Sequence, residues 1–112
     1  MSFASPARSI QIQEALELAN RVRIRRGEVR AQMRGLPLQE GASVAADMLA
    51  APESDMRTMT VYRLLMFIRR YGRVRALRVL RVASVSEAAT LAGLTDRQRE
   101  ALRDLLASEA AA

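Results

Sequence analysis

Between residues 57 and 82 the chain carries eight arginines, at 57, 63, 69, 70, 73, 75, 78 and 81, and not one acid. Any fold must hold that charge apart, because like charges one helical turn apart repel and the segment intersperses no Glu at i,i+4 to relieve them. The same segment carries apolar residues at helical spacing. It is therefore expected to form short helices that turn one side to a core and spread their arginines over the other. An anionic partner is the economical reading of such a face. A merely solvated surface is the second reading, and a membrane surface or an acidic protein the third.

The rest of the composition narrows the partner and the chemistry. At 112 residues, half of them hydrophobic and 27% charged, the chain is expected to form one soluble domain with a modest core. Its longest aliphatic or aromatic run, Leu64 to Ile68, is five residues, so neither a transmembrane helix nor a secretory signal can be drawn, and a location inside the cell is expected. There is no Cys and no His, which removes disulfides, thiolate metal sites, zinc ligands and histidine general bases together. No metal, no cofactor and no enzymatic activity are expected. All 18 basic residues are Arg, against 12 acids, for a net charge of +6. A guanidinium fork matches phosphate geometry, although a GC-rich coding sequence also favours Arg over Lys. Codon bias does not explain where the arginines sit.

Periodicity predicts an all-α fold of five or six helices. Residues 1–7 read as a flexible arm. Residues 8–35 read as a long basic helix with a stripe of Ile12, Ala15, Ala19, Val22, Val29 and Met33, interrupted by Arg26 and weakened by Gly27 at a cost of about 1 kcal/mol. Arg23, Arg26, Arg30 and Arg34 form a row along one flank, fit either for solubility or for an anion. Gly35, Pro37 and Gly41 mark a loop, and Ser43 is expected to cap a short helix over 44–51 that Pro52 stops. A third helix is predicted over 57–69, with Met59, Val61, Leu64, Leu65 and Ile68 inward. A fourth starts at about Arg73 with Val74, Leu77 and Leu80 buried. Ser84 with Glu87, and Thr95 with Gln98, both fit capping boxes. The first predicts a short helix ended by Gly93, and the second a final helix over 96–108 with Ala101, Leu102, Leu105 and Leu106 inward, before a fraying tail at 110–112. Residues 36–109 thus read as one helical module, and the whole chain as a single domain.

The most informative stretch is Tyr71-Gly72-Arg73-Val74-Arg75, a glycine turn opening a helix. Glycine lets a ligand approach the backbone, and the unpaired amides of a first helical turn make an anion site that flanking arginines reinforce. The alternative is an ordinary helix connector with solvated arginines.

Met59-Thr60-Val61-Tyr62-Arg63-Leu64-Leu65, then Tyr71-Gly72-Arg73-Val74-Arg75-Ala76, then Gly93-Leu94-Thr95-Asp96-Arg97-Gln98-Arg99-Glu100-Ala101-Leu102 together resemble the actinobacterial integration host factor family. The resemblance covers about residues 12–107 and includes the weaker Ala15-Leu16-Glu17-Leu18-Ala19 run of the first helix. It implies a long N-terminal helix followed by a compact helix-two-turns-helix module in a nucleoid-associated, DNA-binding protein. The positions where the family grips phosphates fall here on Gly72, Arg73, Val74 and Arg75, with Arg97 and Arg99 in the final-helix motif. Two departures stand out. Arg69 and Arg70 occupy the turn where the family usually has Pro, and Ala88, Ala89, Thr90 and Ala92 replace a segment that often carries arginines.

The function expected from these residues is non-enzymatic duplex-DNA binding with low sequence specificity, by a protein of the cytoplasm and nucleoid that bends or compacts DNA, with a monomer favoured. The expected DNA-binding residues are Gly72, Arg73, Arg75, Arg69, Arg70, Arg78, Arg97, Arg99, Arg23, Arg26 and Arg30. There is no obvious recognition helix with Asn or Gln presented alongside arginines for base edges, so sequence readout is expected to be poor. With only Phe3, Tyr62, Phe67 and Tyr71 as aromatics, a stacking platform for single strands is not expected. The alternative function is a helical adaptor whose basic face binds an acidic protein partner, within or outside a nucleoprotein complex.

Overall fold

The structure is a computed structural model and describes residues 6–111, with the side chains of residues 7–110. Its elements are α1 (Pro6–Arg34), α2 (Leu38–Ala50), a 3-10 turn (Ser54–Met56), α3 (Val61–Met66), α4 (Arg73–Val82) and α5 (Asp96–Ala111). The fold is all-α, a long N-terminal helix followed by short helices, of which α3, α4 and α5 are separated by the turn segments 67–72 and 83–95. Of the expected arm, residues 1–5 lie outside the described residues. Pro6 and Ala7 already belong to α1. At the other end α5 runs on through Ala110 to Ala111, and Ala112 lies outside.

At 1.5 Å per residue, the 29 residues of α1 span about 43 Å. Only its last third reaches the core. Val29 and Met33 are fully buried and Val22 is half-buried, whereas Ile12, Ala15 and Ala19 of the predicted stripe are exposed. The stripe is real as periodicity, but the body of the chain is too short to cover it. Hence the molecule measures 63 × 29 × 23 Å, with a radius of gyration of 16.9 Å against about 13 Å for a compact chain of this length. The helix runs unbroken through Gly27.

Polar side chains clamp the buried third of α1 to the segment before α3. Arg25 donates from Nε and Nη2 to the two oxygens of Glu53 at 2.8 and 2.7 Å, a bidentate fork. These bonds hold the Glu53 carboxyl below the usual carboxylate range and raise the Arg25 guanidinium further. Arg26 donates to the Asp55 carbonyl at 3.1 Å and to Thr58 Oγ1 at 2.7 Å.

Helix α2 starts six residues earlier than expected and carries Gly41 in its second turn. Pro37, not Ser43, precedes it. Gly41 is buried within α2 and not in a loop, with Ile68 Cγ2 of the turn after α3 at 3.6 Å, an ordinary contact distance, from the space its Cβ would take. Leu49 of α2 and Leu102 and Leu106 of α5 are fully buried where these two helices pack, and Met56, Met59, Leu64, Leu65, Ile68, Leu80 and Leu91 complete the core.

Helix α3 is shorter than predicted because residues 57–60 are recruited elsewhere. Leu91 N donates to Met59 O at 3.0 Å, Ala92 N to Arg57 O at 3.0 Å and Val61 N to Ala89 O at 2.9 Å, around a bridge between Thr60 and Thr90. Thr60 then caps α3, its Oγ1 accepting from Arg63 N at 3.2 Å. This pairing also overturns the expected helix between Ser84 and Gly93. Ser84 is the left-handed residue after α4 (φ 57°), Ser84 N donates to Arg81 O, and Val85 N donates to Leu80 O at 2.8 Å, a Schellman closure with Val85 buried. The second predicted capping box forms: Thr95 N donates to Gln98 Oε1 at 3.0 Å and Gln98 N to Thr95 Oγ1 at 3.1 Å.

Candidate nucleic-acid interface

Helix α4 presents its first turn to solvent. Gly72 occupies its N-cap position, is exposed, and has no atom within 4 Å of where a Cβ would lie. Its φ of −97° suits any residue, so the backbone does not demand glycine. What glycine supplies is an open approach. Lacking a side chain, it also leaves the first-turn amides of α4 without a side-chain cap, and these donors sit at the positive end of the helix dipole.

The arginines of this turn diverge. Arg73 lies over Tyr62, its Cζ 5.9 Å from the ring centroid, and its Nη2 is 3.6 Å from Glu87 Oε1. Arg75 stacks more closely on Tyr71, 4.7 Å from the centroid, and its Nη2 pairs with Glu109 Oε2. Each guanidinium is thus held between an aromatic face and a carboxylate. Arg75 and Arg78 line a hollow of about 470 Å³ with Gly72, Val74, Val79 and Glu109. The buried face of α4 is Ala76, Val79 and Leu80. Val74, expected inside, is 73% exposed beside Arg78, because the buried stripe runs through Ala76, Val79, Leu80 and Ala83.

Tyr71 is buried, and its hydroxyl has no hydrogen-bond partner among the described residues. Burial, and then the nearby Glu109 carboxylate, push this phenol up to about 12.

The remaining expected site residues fall into separate patches. Arg69 and Arg70 flank a hollow with Pro37, Leu38 and Gln39, and Arg70 adopts a left-handed φ of 69° in the turn before α4. Arg97 lies in a hollow with Val82, Ser84 and Gln98. Arg23, Arg26 and Arg30 of α1 line a groove of about 600 Å³ together with Arg63, Thr58 and Phe67, and Gly27 leaves its wall open. Of these, Arg26 is anchored to the backbone as described. Arg99 faces inward as well: Nη1 donates to the Leu49 carbonyl, and Nη2 to the carbonyls of Leu91 at 3.2 Å and Leu94 at 3.4 Å.

Sequence reasoning missed Arg63 as a neighbour of the α1 row, the two tyrosine faces, and the carboxylates Glu87 and Glu109. Tyr71 stands four residues before Arg75, a spacing that hints at contact. The other partners are 11 to 34 residues distant, and only the tertiary fold brings them together. Among the described residues no group of three or more acids could hold a metal ion, and no helix is long and apolar enough to cross a membrane. As chemistry, the surface can bind anions at several points.

A long lone helix followed by α2 to α5, with an exposed glycine-started basic helix, defines an all-α fold of integration host factor type. The chain is similar to the solved structure of sIHF bound to an 8-bp palindromic DNA, with 25% sequence identity and a TM-score of 0.60 over 80% of this chain and 98% of the other. Comparison with family models and with curated proteins finds no match.

Proposed function

We propose that this chain is a non-enzymatic, duplex-DNA-binding, nucleoid-associated protein and a divergent member of the actinobacterial integration host factor family. It grips backbone phosphates with little sequence preference, and bends or compacts DNA in the cytoplasm at the nucleoid. The observation that carries this reading is the start of α4: an exposed glycine, uncapped amides, and Arg75 and Arg78 around one hollow. The likeness to a structure solved with DNA supports it. Arg73, Arg69, Arg70 and Arg97 add cationic contacts around this centre. The groove of Arg23, Arg30 and Arg63, with Arg26 as its anchor, provides a second backbone contact through which a monomer bends one duplex or bridges two. Arg99 supports the site by bracing α5.

The test is the pair of substitutions Arg73→Ala and Arg75→Ala in one protein. Affinity should fall on every duplex tried, by about tenfold or more if two phosphate contacts are lost at moderate salt. Unchanged binding excludes this site.

A second reading, a helical adaptor whose basic face binds an acidic protein, draws on the groove of Arg23, Arg30 and Arg63, with the exposed Ile10, Ile12, Leu16, Leu18 and Ile24 of α1 as added apolar surface. Titration with bulk duplex at two salt concentrations separates the two. An adaptor binds DNA weakly and retains a specific protein in a pull-down.

A further inference from the structure

The hollow beside Gly72 already contains an anion, and that anion belongs to the chain. Glu109, in the last turn of α5, lines the hollow with Arg75 and Arg78 and pairs with Arg75 Nη2. Arg75 cannot swing freely to a phosphate elsewhere, because its guanidinium rests on the Tyr71 ring 4.7 Å from the centroid. Beneath it lies the buried Tyr71 hydroxyl, near the Glu109 carboxylate. A carboxylate and a phosphate oxygen compete for the same donors. A phosphate has more acceptor oxygens and can take Arg75, Arg78 and the amides of α4 together. A single glutamate on one Nη cannot.

We propose that Glu109 is a carboxylate latch: it occupies the phosphate seat formed by Arg75 and Arg78 at the start of α4, and an incoming duplex phosphate displaces it. The latch rests on the duplex-binding function proposed above. It makes the last turn of α5 a restraint on affinity, and it assigns Glu109 a role opposite in sign to that of an ordinary stabilising ion pair.

A carboxylate that oriented Arg75 for DNA would have the contrary effect, so the experiment is a double-mutant cycle. Wild type, Glu109→Gln, Arg75→Gln and the double variant are titrated against a labelled mixed-sequence duplex by fluorescence anisotropy, and each is melted without DNA. Glu100→Gln, which removes from the same helix an exposed acid with no ion pair among the described residues, controls for net charge. The latch predicts that Glu109→Gln tightens binding by about three- to tenfold while its melting temperature stays level or falls. It further predicts that the gain vanishes when Arg75 is already Gln, and that Glu100→Gln changes affinity by less than about twofold. Weaker or unchanged binding by Glu109→Gln overturns the latch, as does an equal gain in the Arg75→Gln background. If no variant binds duplex, the DNA-binding function itself fails and the latch falls with it. Binding by wild type without a gain on Glu109→Gln removes the latch alone.

Discussion

Replacing Arg99 with Ala should unfold the protein more readily without changing how it meets DNA. The guanidinium of Arg99 donates to three backbone carbonyls, those of Leu49 at the end of α2 and of Leu91 and Leu94 in the turn before α5. It ties the end of α2 and the turn before α5 to the first turn of α5. A net charged hydrogen bond contributes about 1.5–3 kcal/mol when it is well made. Here one is close and two are longer, at 3.2 and 3.4 Å, and the site is only partly buried, so water can re-satisfy some of the carbonyls. The expected loss is about 2–3 kcal/mol. For a chain of this size that lowers the melting temperature by about 8–12 °C. Melting followed by circular dichroism measures the loss, and duplex titration well below the transition measures binding, which should stay within about twofold of wild type. Lys should not restore stability, because one ammonium cannot span three carbonyls as the planar fork does. A variant that melts like wild type but binds DNA less tightly would refute this assignment and make Arg99 a DNA contact.

Two further outcomes follow from the neighbourhood of Gly72. The Tyr71 phenol is raised in the fold to about 12, so the folded state keeps a proton that the unfolded chain, titrating near 10, releases. Stability should therefore be constant below about pH 10 and fall by at most about 2–3 kcal/mol as the pH approaches 12; Tyr71→Phe should abolish that decline, and a decline that persists in the Phe variant contradicts the attribution. Gly72→Val should melt close to wild type, since no atom lies within 4 Å and φ is ordinary, yet bind duplex about tenfold more weakly because the branched side chain covers the first-turn amides. A large fall in melting temperature would show that the glycine is needed by the fold.

The parts of this molecule visible in the sequence are those governed by neighbours a few residues apart. The inward sides of α3 and α5 and the Thr95–Gln98 capping box depend on spacings of three and four, and all three form as read. The errors have tertiary causes. Ser84 has the composition of a helix start but ends α4, because Val85 is drawn into the core. Residues 57–60 have helical spacing, but Met59 and Thr60 pair with residues 90 and 91 instead. Gly41 looks like a loop residue because nothing local reveals that Ile68 packs against it. In the candidate site, the glycine and the arginines were legible, and their partners were not. Whether an arginine is free for a ligand, as Arg78 is, or committed to carbonyls, as Arg99 is, depends on chain segments far away in the sequence.

The most direct test of the account is the salt dependence of binding to a mixed-sequence duplex, measured alongside a single strand of the same length. Four to six phosphate contacts predict a slope of about −3.6 to −5.4 in log affinity against log salt, the same for unrelated duplexes and with weaker binding to the single strand. A flat salt response, or tighter binding to the single strand than to the duplex, would contradict the claim that this surface grips the backbone of duplex DNA.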